Sequence, residues 1–375
     1  MRIVLSGGGT AGHIFPTLAV ARRLCERLGA DHADITIVCG SRELDRTLYR
    51  DSGFDLVAIK ARGIVGVGVL RLPWRLWRLA SSTVAVWREL GRRPPDVIVA
   101  SGGYVSAPVL LAGRLRRIRA VLFSGDAQLG LATRVLAPLA SVTTVAFKEA
   151  ASQVIGSRVE FTGYPLRAAF AAADGAAGRR VVGAGDDDFL VLVMGGSQGS
   201  HAINEAIRRD LARLVERAIV LHVAGRGDLP RLQSAREELP QERRARYQPR
   251  DFIDRGFANL IAGADLVVSR SGATSVAELS AVGTPAIIVP GRFGAGHQLR
   301  TAEALERDGA AVTISEDLLP SGRLAEAIVD LIDEPQRLDR MRQASRARGR
   351  PDAAGEIANL AIRLVEPAFA EATHS

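Results

Sequence analysis

Short apolar runs rich in β-branched residues alternate along the chain with longer stretches of helical periodicity. Strands that are apolar throughout and separated by helices are typical of parallel sheets covered on both faces. The runs form two series, so the pattern predicts an α/β protein with two doubly wound domains. The predicted strands are residues 3–5, 34–38, 97–100 and 120–123 in the first series and 189–194, 219–223, 266–269 and 286–289 in the second.

Between the two series, residues 168–188 are rich in Ala and Gly and have no strong apolar period. We therefore expect no core element in this stretch. The first domain is predicted to span residues 1–163 and the second residues 164–342. Residues 343–375 form a helical C-terminal segment that can pack on either domain, including back on the first.

Composition limits the class of protein further. The chain has 375 residues, 47% of them hydrophobic, so it can bury more than one core. Two cysteines, Cys25 and Cys39, are too few for a disulfide scaffold or a structural zinc site, which favours a reducing compartment. The N-terminus has no signal-peptide pattern, and this predicts a cytoplasmic location. The net charge of +8 indicates an anionic partner, and nucleic acid, an acidic membrane and phosphorylated ligands fit it equally well.

Four glycine-rich segments follow predicted strands and precede helices. Backbone amides at such a turn can point at one anion, and the helix dipole adds positive potential there. One loop alone is equally well a tight turn that binds nothing. Two loops in each domain favour a phosphate-bearing ligand in a shared cleft, because ligands of open α/β sheets collect at the carboxyl ends of the strands. The loops are residues 6–13, 101–104, 195–199 and 271–275.

The loop sequences exclude some enzyme classes and leave one rival. None is a P-loop, and the first lacks the dinucleotide-binding fingerprint, so neither a P-loop NTPase nor a dinucleotide oxidoreductase is indicated. Residues 195–199 also fit GxSxG, the nucleophile elbow of α/β-hydrolases. A serine hydrolase would use Ser197 with His297 and either Asp254 or Asp265. Because that interpretation leaves the other three loops without a role, it is a remote alternative.

Six motifs follow one another along the chain: GGGTAGHIFP at residues 7–16, SGGYVSAP at 101–108, GYPLR at 163–167, GGSQGSHAIN at 195–204, DFID at 251–254 and SRSGATSVAEL at 269–279. In this order they resemble the MurG family, the membrane-associated N-acetylglucosaminyltransferases of peptidoglycan synthesis. The resemblance extends over nearly the whole chain. The combination of motifs is specific, although each motif alone is not.

The resemblance implies a GT-B fold, in which two Rossmann-like doubly wound domains face each other across a cleft. The first domain would receive the lipid acceptor and the second UDP-N-acetylglucosamine. The implied reaction is an inverting transfer of N-acetylglucosamine to the 4-hydroxyl of lipid-linked N-acetylmuramyl-pentapeptide, which converts lipid I to lipid II. The implied role is cell-wall biogenesis, and with it cell shape, the cell cycle and cell division.

The resemblance also implies a donor site. The uracil would lie near Arg167 and the backbone of Phe252 and Ile253, with Ser197 beside the phosphates. Glu278 would accept both ribose hydroxyls, although without the motif it reads as an ordinary exposed helical residue. The implied donor set is Thr10, Gly12, Asp126, Arg167, Ser197, Phe252, Ile253, Thr274, Ser275, Glu278 and Gln298, and the loops for the acceptor and the diphosphate contain Gly8, Gly9, Gly102, Gly103 and Tyr104.

His13 ends the first glycine loop and would face the cleft. A neutral imidazole there can take the proton from the attacking hydroxyl, so His13 is our candidate for the general base. The alternative is a histidine that only caps the helix after the loop. The geometry of its ring decides between the two roles.

One position departs from the family. Asp126 stands where the family's HEQN motif has asparagine, and a carboxylate accepts hydrogen bonds but does not donate them. This leaves open a related transferase with a different donor or acceptor. A UDP-sugar epimerase of the same fold is a further alternative, since it would share the UDP site but needs no lipid acceptor.

Three consecutive aspartates at residues 186–188 superficially resemble the acidic motif with which other glycosyltransferases hold a divalent cation. They precede a predicted strand, whereas the glycine loops follow strands, so the run lies away from every loop. Arginine and helix N-terminal amides can supply positive charge to a departing diphosphate instead. We therefore expect metal-independent transfer with no cofactor.

All three tryptophans, Trp74, Trp77 and Trp87, lie on one helical stripe flanked by arginines that include Arg75 and Arg78. A cationic amphipathic helix of this kind lies in an anionic membrane interface. A core helix whose tryptophans pack on the sheet is an equally good interpretation of the pattern, and the resemblance favours the membrane. We expect a peripheral protein on the cytoplasmic side of the cell membrane. Its expected partners are UDP-N-acetylglucosamine, an undecaprenyl-linked acceptor and the anionic membrane surface, with other cell-wall enzymes as further candidates and no nucleic acid.

Overall fold

The structure is a computed structural model of the chain. It describes residues 1–29, 33–61, 63, 72–196, 199–253, 255–291 and 296–366. The chain forms two compact units, one of Met1–Arg167 together with the segment from Asp352 onward, and one of Ala168–Pro351. Each unit contains a parallel sheet, as the alternation of apolar runs and helical stretches predicts.

The described strands of the first unit are β1 (Arg2–Ser6), β2 (Asp34–Gly40), β3 (Asp55–Ile59), β4 (Val97–Ala100), β5 (Arg119–Ser124), β6 (Val142–Val145) and β7 (Arg158–Phe161). All pair in parallel, in the order β3-β2-β1-β4-β5-β6-β7. The order reverses between β1 and β4, which is the doubly wound topology, and such a switch point places a ligand crevice at the carboxyl ends of these strands.

The sequence pattern does not predict β3, β6 and β7. The first and last of these are edge strands with largely exposed or half-buried residues. β6 is a run of four residues with two threonines at its centre. None of them has the continuous apolar run that marks a strand buried on both faces.

The described helices of the first unit are α1 (Ala11–Leu28), α2 (Glu43–Tyr49), α3 (Leu72–Arg92), α4 (Ser106–Leu115), α5 (Leu131–Leu136), α6 (Lys148–Ala151) and, from the C-terminal segment, α16 (Ala353–Val365). α16 packs against α1, β4 and β5. Arg23 of α1 pairs with Asp352 at 2.9 Å, and the guanidinium of Arg119 donates to the carbonyl of Leu364. These contacts explain why the last helix belongs to the first unit.

The described strands of the second unit are β8 (Leu190–Met194), β9 (Ile219–Val223), β10 (Tyr247–Arg250), β11 (Leu266–Ser269), β12 (Ala286–Ile288) and β13 (Ala311–Thr313). They are parallel, in the order β10-β9-β8-β11-β12-β13. Every residue of β8, β9 and β11 is buried, as a central parallel strand requires. The short strands β10 and β13 are not predicted by the sequence pattern, and both lie at edges of the sheet.

The described helices of the second unit are α7 (Gly175–Val182), α8 (His201–Arg209), α9 (Leu211–Arg217), α10 (Leu229–Glu237), α11 (Phe257–Gly263), α12 (Ala273–Val282), α13 (His297–Arg307), α14 (Arg323–Asp333) and α15 (Pro335–Arg348). α7 corrects the expectation of no core element within residues 168–188. It is capped by Asp174, and it packs on α11 through Gly178, where a Cβ would lie 2.0 Å from the carbonyl oxygen of Asn259. Close backbone contact replaces the apolar stripe that we looked for.

The unit boundaries differ from the predicted domain limits by a few residues. The first unit extends to Arg167 rather than ending at residue 163. Tyr164 explains the extension, because its ring packs edge-on against Phe123 with centroids 5.4 Å apart and its hydroxyl donates to the carbonyl of Gly12. At the other end α15 stays with the second unit, so the predicted segment 343–375 is divided between the two units.

Candidate active site

In both units the glycine loops lie at the carboxyl ends of sheet strands. In the first unit the loops after β1 and β4 are neighbours, because Ser6 and Ala100 pair at the ends of those strands. The turn after β5, which carries Asp126, is next in the sheet. In the second unit the loops after β8 and β11 are likewise neighbours, because Met194 pairs with Ser269. Each unit therefore brings its two predicted loops together.

His13 lies in the first turn of α1 and is fixed by the loop after β4. Its Nδ1 lies 2.9 Å from the carbonyl oxygen of Ser101. A carbonyl only accepts hydrogen bonds, so Nδ1 carries the hydrogen of the neutral ring and Nε2 keeps its lone pair. Gly102 and Gly103, with φ of 82° and 76°, pass the backbone close to the ring, and a Cβ at Gly102 would lie 3.2 Å from Nδ1. A lone pair held in this way is what a general base requires.

The surroundings of His13 favour its neutral form. Burial lowers the pKa of His13, while the hydrogen bond to Ser101 and the negative charge of Asp126 raise it and partly offset the burial. The side chain is half-buried rather than enclosed. Because the ring bonds to a loop carbonyl and not to a helix amide, the alternative role of a helix cap does not fit.

Asp45 of α2 is a buried carboxylate that the sequence motifs do not reveal. It accepts a hydrogen bond from the Gly9 amide at 2.7 Å and another from the Tyr104 hydroxyl at 3.4 Å. One turn further along the same helix, Tyr49 donates to the carbonyl of Gly7 at 3.0 Å. The Gly9 amide is therefore committed to a protein carboxylate, which corrects the expectation that it is offered to a phosphate. The spacing of Asp45 and Tyr49 on one helix face is the only sequence signal for this arrangement.

The other predicted residues of the first unit lie around the same end of α1. Thr10 is the N-cap, and its carbonyl accepts two amides of the first turn at 3.1 Å. The carbonyl of Gly12 accepts the Tyr164 hydroxyl at 2.7 Å. The guanidinium carbon of Arg167 lies 5.7 Å from the ring centre of Phe15. These three predicted residues are thus brought close to the turn that carries the candidate base.

Close backbone contacts shape the loop after β8. A Cβ at Gly195 would lie 2.2 Å from the amide nitrogen of Ser200, and a Cβ at Gly199 would lie 2.0 Å from the carbonyl oxygen of Ala224. Only glycine fits at either position. Ser200 then caps α8 with its side chain. The predicted phosphate contact Ser197 lies outside the described residues.

The loop after β11 leads into α12, whose first turn carries Thr274 and Ser275. Glu278 lies about one turn further and is 7% exposed, so it is not the exposed helical residue of the alternative interpretation. The hydroxyls of Ser271 in this loop and of Ser101 in the first unit are buried and have no hydrogen-bond partner within the part of the chain that the structure describes. Buried hydroxyls normally have partners, so these two hydroxyls are candidates to hydrogen-bond a ligand.

Two further predicted donor contacts follow β10 and β12. Phe252 is 61% exposed, and its amide donates to the carboxylate of Asp251 at 2.8 Å. Ile253 beside it is half-buried. In the first turn of α13, the side-chain oxygen of Gln298 accepts the amide of Gly291 at 2.7 Å. That oxygen already accepts a hydrogen bond from the loop after β12, which leaves the side-chain Nε2 as the group available to a ligand.

A buried polar network supports the loops of the second unit, and no sequence motif reveals it. The two ring nitrogens of His222 each lie 2.9 Å from a partner, Nδ1 from the Tyr247 hydroxyl and Nε2 from the side-chain oxygen of Asn204. Asn204 in turn donates to the carbonyl of Ala224 at 2.9 Å and to Asp228 at 2.8 Å. The same Ala224 carbonyl packs against the loop after β8. Burial lowers the pKa of His222 to about 3, so this ring is neutral.

Helix α3 exposes the residues that are predicted to face a membrane. Trp74 and Trp77 are 44% and 65% exposed, whereas the buried residues of α3 lie in its second half. The guanidinium groups of Arg75 and Arg78 lie 5.3 Å and 4.8 Å from the ring centre of Trp74. The alternative in which the tryptophans pack on the sheet is therefore wrong. Among the described residues, no helix is both long and apolar enough to cross a bilayer.

Comparison with known proteins follows the same division of the chain. The N-terminal domain of glycosyltransferase family 28 matches residues 3–145, and the C-terminal domain of that family matches residues 190–357. The crystal structure of Acinetobacter baumannii MurG superposes with a TM-score of 0.78 at 24% identity, over 96% of this chain and 99% of that one. The UDP-N-acetylglucosamine–N-acetylmuramyl-(pentapeptide) pyrophosphoryl-undecaprenol N-acetylglucosamine transferase of Salinibacter ruber is 37% identical over 368 residues, which cover 97% of both chains. The chain belongs to the MurG family of glycosyltransferases.

Membership of the MurG family confirms the predicted resemblance and the predicted fold class, two Rossmann-like domains of GT-B type. The fold is shared more widely. A UDP-GlcNAc 2-epimerase from Neisseria meningitidis, solved bound to UDP-GlcNAc, superposes with a TM-score of 0.68 at 12% identity, over 97% of this chain and all of that one. At such identity the likeness concerns the fold alone, so the family assignment rests on the transferase relatives.

The position of Asp265 excludes this residue as the acid of the serine-hydrolase alternative. Asp265 directly precedes β11 and therefore lies where the strands begin. There its carboxylate accepts the amide of Leu190 at 2.8 Å and pairs with Arg179 at 2.9 Å. The GxSxG segment follows β8 at the opposite edge, about 13 Å away along the strands at ~3.3 Å per residue. Asp265 therefore cannot orient a histidine at that loop. Ser197, Asp254 and the side chain of His297 lie outside the described residues.

Proposed function

We propose that this protein is an inverting glycosyltransferase of peptidoglycan synthesis. It moves N-acetylglucosamine from UDP-N-acetylglucosamine to the 4-hydroxyl of lipid-linked N-acetylmuramyl-pentapeptide and so converts lipid I to lipid II. The observation that carries this proposal is the 37% identity with the Salinibacter ruber transferase over 97% of both chains. That relative's name contains both the donor and the undecaprenol-linked acceptor.

The proposed chemistry is a single displacement. The acceptor 4-hydroxyl attacks the anomeric carbon, the bond from that carbon to the diphosphate oxygen breaks, and UDP leaves with the electron pair. The hydroxyl proton passes to Nε2 of His13, the ring nitrogen that is not committed to Ser101. Loop amides and hydroxyls at the strand ends stabilise the negative charge that grows on the diphosphate.

The proposed donor contacts use residues of the second unit that stand at the ends of β10, β11 and β12. Thr274 and Ser275 in the first turn of α12 hydrogen-bond the α-phosphate, and Glu278 accepts the ribose hydroxyls. Phe252 and Ile253 border the uracil. The sugar is contacted by Nε2 of Gln298, because Oε1 is held by a backbone amide.

A panel of UDP-sugars tests the proposed reaction. Each donor is incubated with the wild-type protein and a short-chain analogue of lipid I, and products are separated by mass and linkage. We expect a β-linked disaccharide and free UDP with UDP-N-acetylglucosamine. Isomerisation of the UDP-sugar without an acceptor would overturn the proposal in favour of an epimerase. Preference for another UDP-sugar would indicate that Asp126, which stands where the family has asparagine, changes the donor specificity.

We further propose that transfer needs no metal ion. The acidic run 186–188 precedes β8, so it lies at the amino ends of the strands, whereas the glycine loops lie at the carboxyl ends. Asp188 accepts the amide of Gly185 at 3.0 Å and lies 3.7 Å from Arg246, so its carboxylate serves local structure. Within the described ranges no group of three or more His, Cys, Asp or Glu is arranged to hold a metal. Transfer rates should be equal with EDTA and with added Mg²⁺, and loss of activity in EDTA that Mg²⁺ restores would contradict this proposal.

We also propose peripheral attachment to the cytoplasmic face of the cell membrane through α3. The support is the exposed stripe of Trp74 and Trp77 with Arg75 and Arg78 beside it, a side-chain set that suits an anionic interface. Replacing both tryptophans with serine should weaken the affinity for anionic vesicles, measured by co-sedimentation, by about 30-fold or more, since each buried aromatic contributes roughly 1 kcal/mol or more. Binding that is unchanged in this variant, or equal with neutral vesicles, would count against the proposal.

A further inference from the structure

We infer that Asp45 is a positioning residue that holds the two glycine loops of the first unit in register, and so sets the place of the acceptor relative to the general base. The inference rests on the proposed transferase function and adds a residue to it. Asp45 is not in any glycine motif and would touch neither sugar nor diphosphate. Its role would be exerted through the loops that do.

Burial is the first observation that sets Asp45 apart. Its neighbours on α2, Glu43, Leu44 and Arg46, are exposed, whereas Asp45 is 0% exposed. Removing a carboxylate from water costs several kcal/mol unless hydrogen bonds replace the water. A buried carboxylate on a short helix of mostly exposed residues therefore needs partners that repay its desolvation.

Its partners are one group from each loop. Oδ1 accepts the amide of Gly9, after β1, at 2.7 Å, and Oδ2 accepts the hydroxyl of Tyr104, after β4, at 3.4 Å. The two loops are joined at a second point by the hydrogen bond from His13 to Ser101. The carboxylate and the imidazole thus link the same pair of loops, and a shift at one link is transmitted to the other.

The backbone around Asp45 is shaped to admit the carboxylate. A Cβ at Gly8 would lie 2.4 Å from Oδ1, and a Cβ at Gly40 would lie 2.8 Å from Oδ2 and 2.4 Å from the Tyr104 hydroxyl. Side chains at either glycine would have to displace the carboxylate or the phenol. Two glycines on different segments are therefore explained by this single side chain.

Tyr104 completes the arrangement. Its ring packs on Gly9, where a Cβ would lie 2.5 Å from Cε1, and the guanidinium carbon of Arg42 lies 4.9 Å from the ring centre. Burial and the negative charge of Asp45 raise the pKa of Tyr104, and the charge of Arg42 lowers it by less. The phenol therefore stays protonated at neutral pH and donates to the carboxylate.

Two variants separate position from charge. Asp45→Asn keeps an oxygen that accepts the Gly9 amide, and its side-chain NH₂ can donate a hydrogen bond to the Tyr104 hydroxyl oxygen. The substitution removes the charge. Asp45→Glu keeps the charge, and its extra methylene must displace the loops, because the backbone at Gly8 and Gly40 already passes close to the carboxylate. Asp45→Ala removes both acceptor oxygens and so leaves the Gly9 amide and the Tyr104 hydroxyl without this partner. Glu43→Gln, on the exposed face of the same helix, is the matched control.

If Asp45 positions the loops, Asp45→Ala and Asp45→Glu should lower kcat/KM for the lipid I analogue by about 100-fold, the size expected for a misplacement near 1 Å. KM for UDP-N-acetylglucosamine should stay within about threefold of the wild type, because Thr274, Ser275 and Glu278, the proposed contacts to the phosphate and the ribose, are residues of the second unit. Asp45→Asn should retain most of the activity, and Glu43→Gln all of it. Inactive Asp45→Asn together with active Asp45→Glu would overturn the inference and assign the residue a charge role. An equal rise in both KM values would also overturn it.

Hydrogen exchange gives a readout that does not depend on transfer. The peptide that contains Gly9 should exchange faster in Asp45→Ala and Asp45→Glu than in the wild type, and at the wild-type rate in Asp45→Asn. Unchanged exchange in Asp45→Ala would contradict the inference even if the wild type is an active transferase. Failure of the wild type to transfer any sugar would instead contradict the proposed function. Hydrogen exchange would then be the measurement that decides whether Asp45 holds the loops.

Discussion

The two units hold their glycine loops with different chemistry. In the first, a charged carboxylate, Asp45, bonds to both loops, and His13 is half-buried with one ring nitrogen committed to a carbonyl. In the second, a neutral network of Tyr247, His222 and Asn204 supports the loops, and both ring nitrogens of the histidine are committed. The same residue type is thus a candidate base in one unit and a structural element in the other.

The difference shows what decides the role of a histidine at a strand end. Burial lowers the pKa of both rings, so both are neutral near pH 7. The two rings differ in how many of their nitrogens hydrogen-bond within the protein and in how exposed they are to solvent. His13 keeps one lone pair on a half-buried ring. His222 is fully buried, and both of its ring nitrogens already hydrogen-bond, to Tyr247 and to Asn204.

The largest expected effect comes from removing the uncommitted lone pair. His13→Ala should lower kcat by about 1,000-fold, within the range of general-base catalysis. A continuous assay of UDP release with the lipid I analogue measures it. His201→Ala, which replaces an exposed histidine of the second unit, is the control and should keep wild-type activity. A His13→Ala enzyme within tenfold of the wild type would remove this histidine from the chemistry.

The complementary change should affect stability. His222→Leu leaves the Tyr247 hydroxyl and the Asn204 oxygen buried without their partner, which should lower the free energy of unfolding by about 3 kcal/mol. Urea denaturation measures this, with His201→Ala expected to cost less than about 1 kcal/mol because its pair with Asp228 is exposed on one side. Equal stability of His222→Leu and the wild type would show that the network is not a support.

A pH series sharpens the same comparison. The pKa of His222 is about 3 in the folded protein against 6.5 for an ordinary histidine, so protonation favours the unfolded chain. Its stabilising effect is complete above about pH 6.5 and is lost as the pH falls, by up to about 1.4 kcal/mol per pH unit. Denaturation at pH 7, 6 and 5 should show this slope in the wild type and a weaker one in His222→Leu. Parallel slopes in the two proteins would contradict the assignment.

The smallest effect concerns the charge near His13. Asp126 raises the pKa of this histidine, so Asp126→Asn should move the acid limb of kcat/KM to lower pH. The position of the limb, rather than the rate at its plateau, is the readout, because Asp126 is also a proposed donor contact. A limb that moves to higher pH would mean that another group titrates.

The sequence predicts the parts of this protein that depend on continuous runs of residues. Buried parallel strands are uniformly apolar and glycine loops follow them directly, so the central strands and the four loops could be found from pattern alone. The supports of the loops could not. Gly9 and Asp45 are 36 residues apart, and His222 lies 18 residues from Asn204, so only the fold brings these partners together.

Helix α7 illustrates a second limit of sequence pattern. It packs through Gly178 against the backbone of Asn259, a contact that leaves no apolar stripe in the sequence. The exposure of Trp74 and Trp77 is a third case, because an amphipathic stripe is equally compatible with a core and with a membrane interface until the neighbouring elements are placed.

The most direct test of the division of labour between the two units is a calorimetric titration with UDP in EDTA-containing buffer. We predict saturable binding to the wild type, the same affinity for His13→Ala, and an affinity at least about tenfold lower for Glu278→Ala, which loses a charge-assisted hydrogen-bond acceptor for the ribose. No saturable binding of UDP to the wild type, or a loss of affinity in His13→Ala as large as that in Glu278→Ala, would contradict the account.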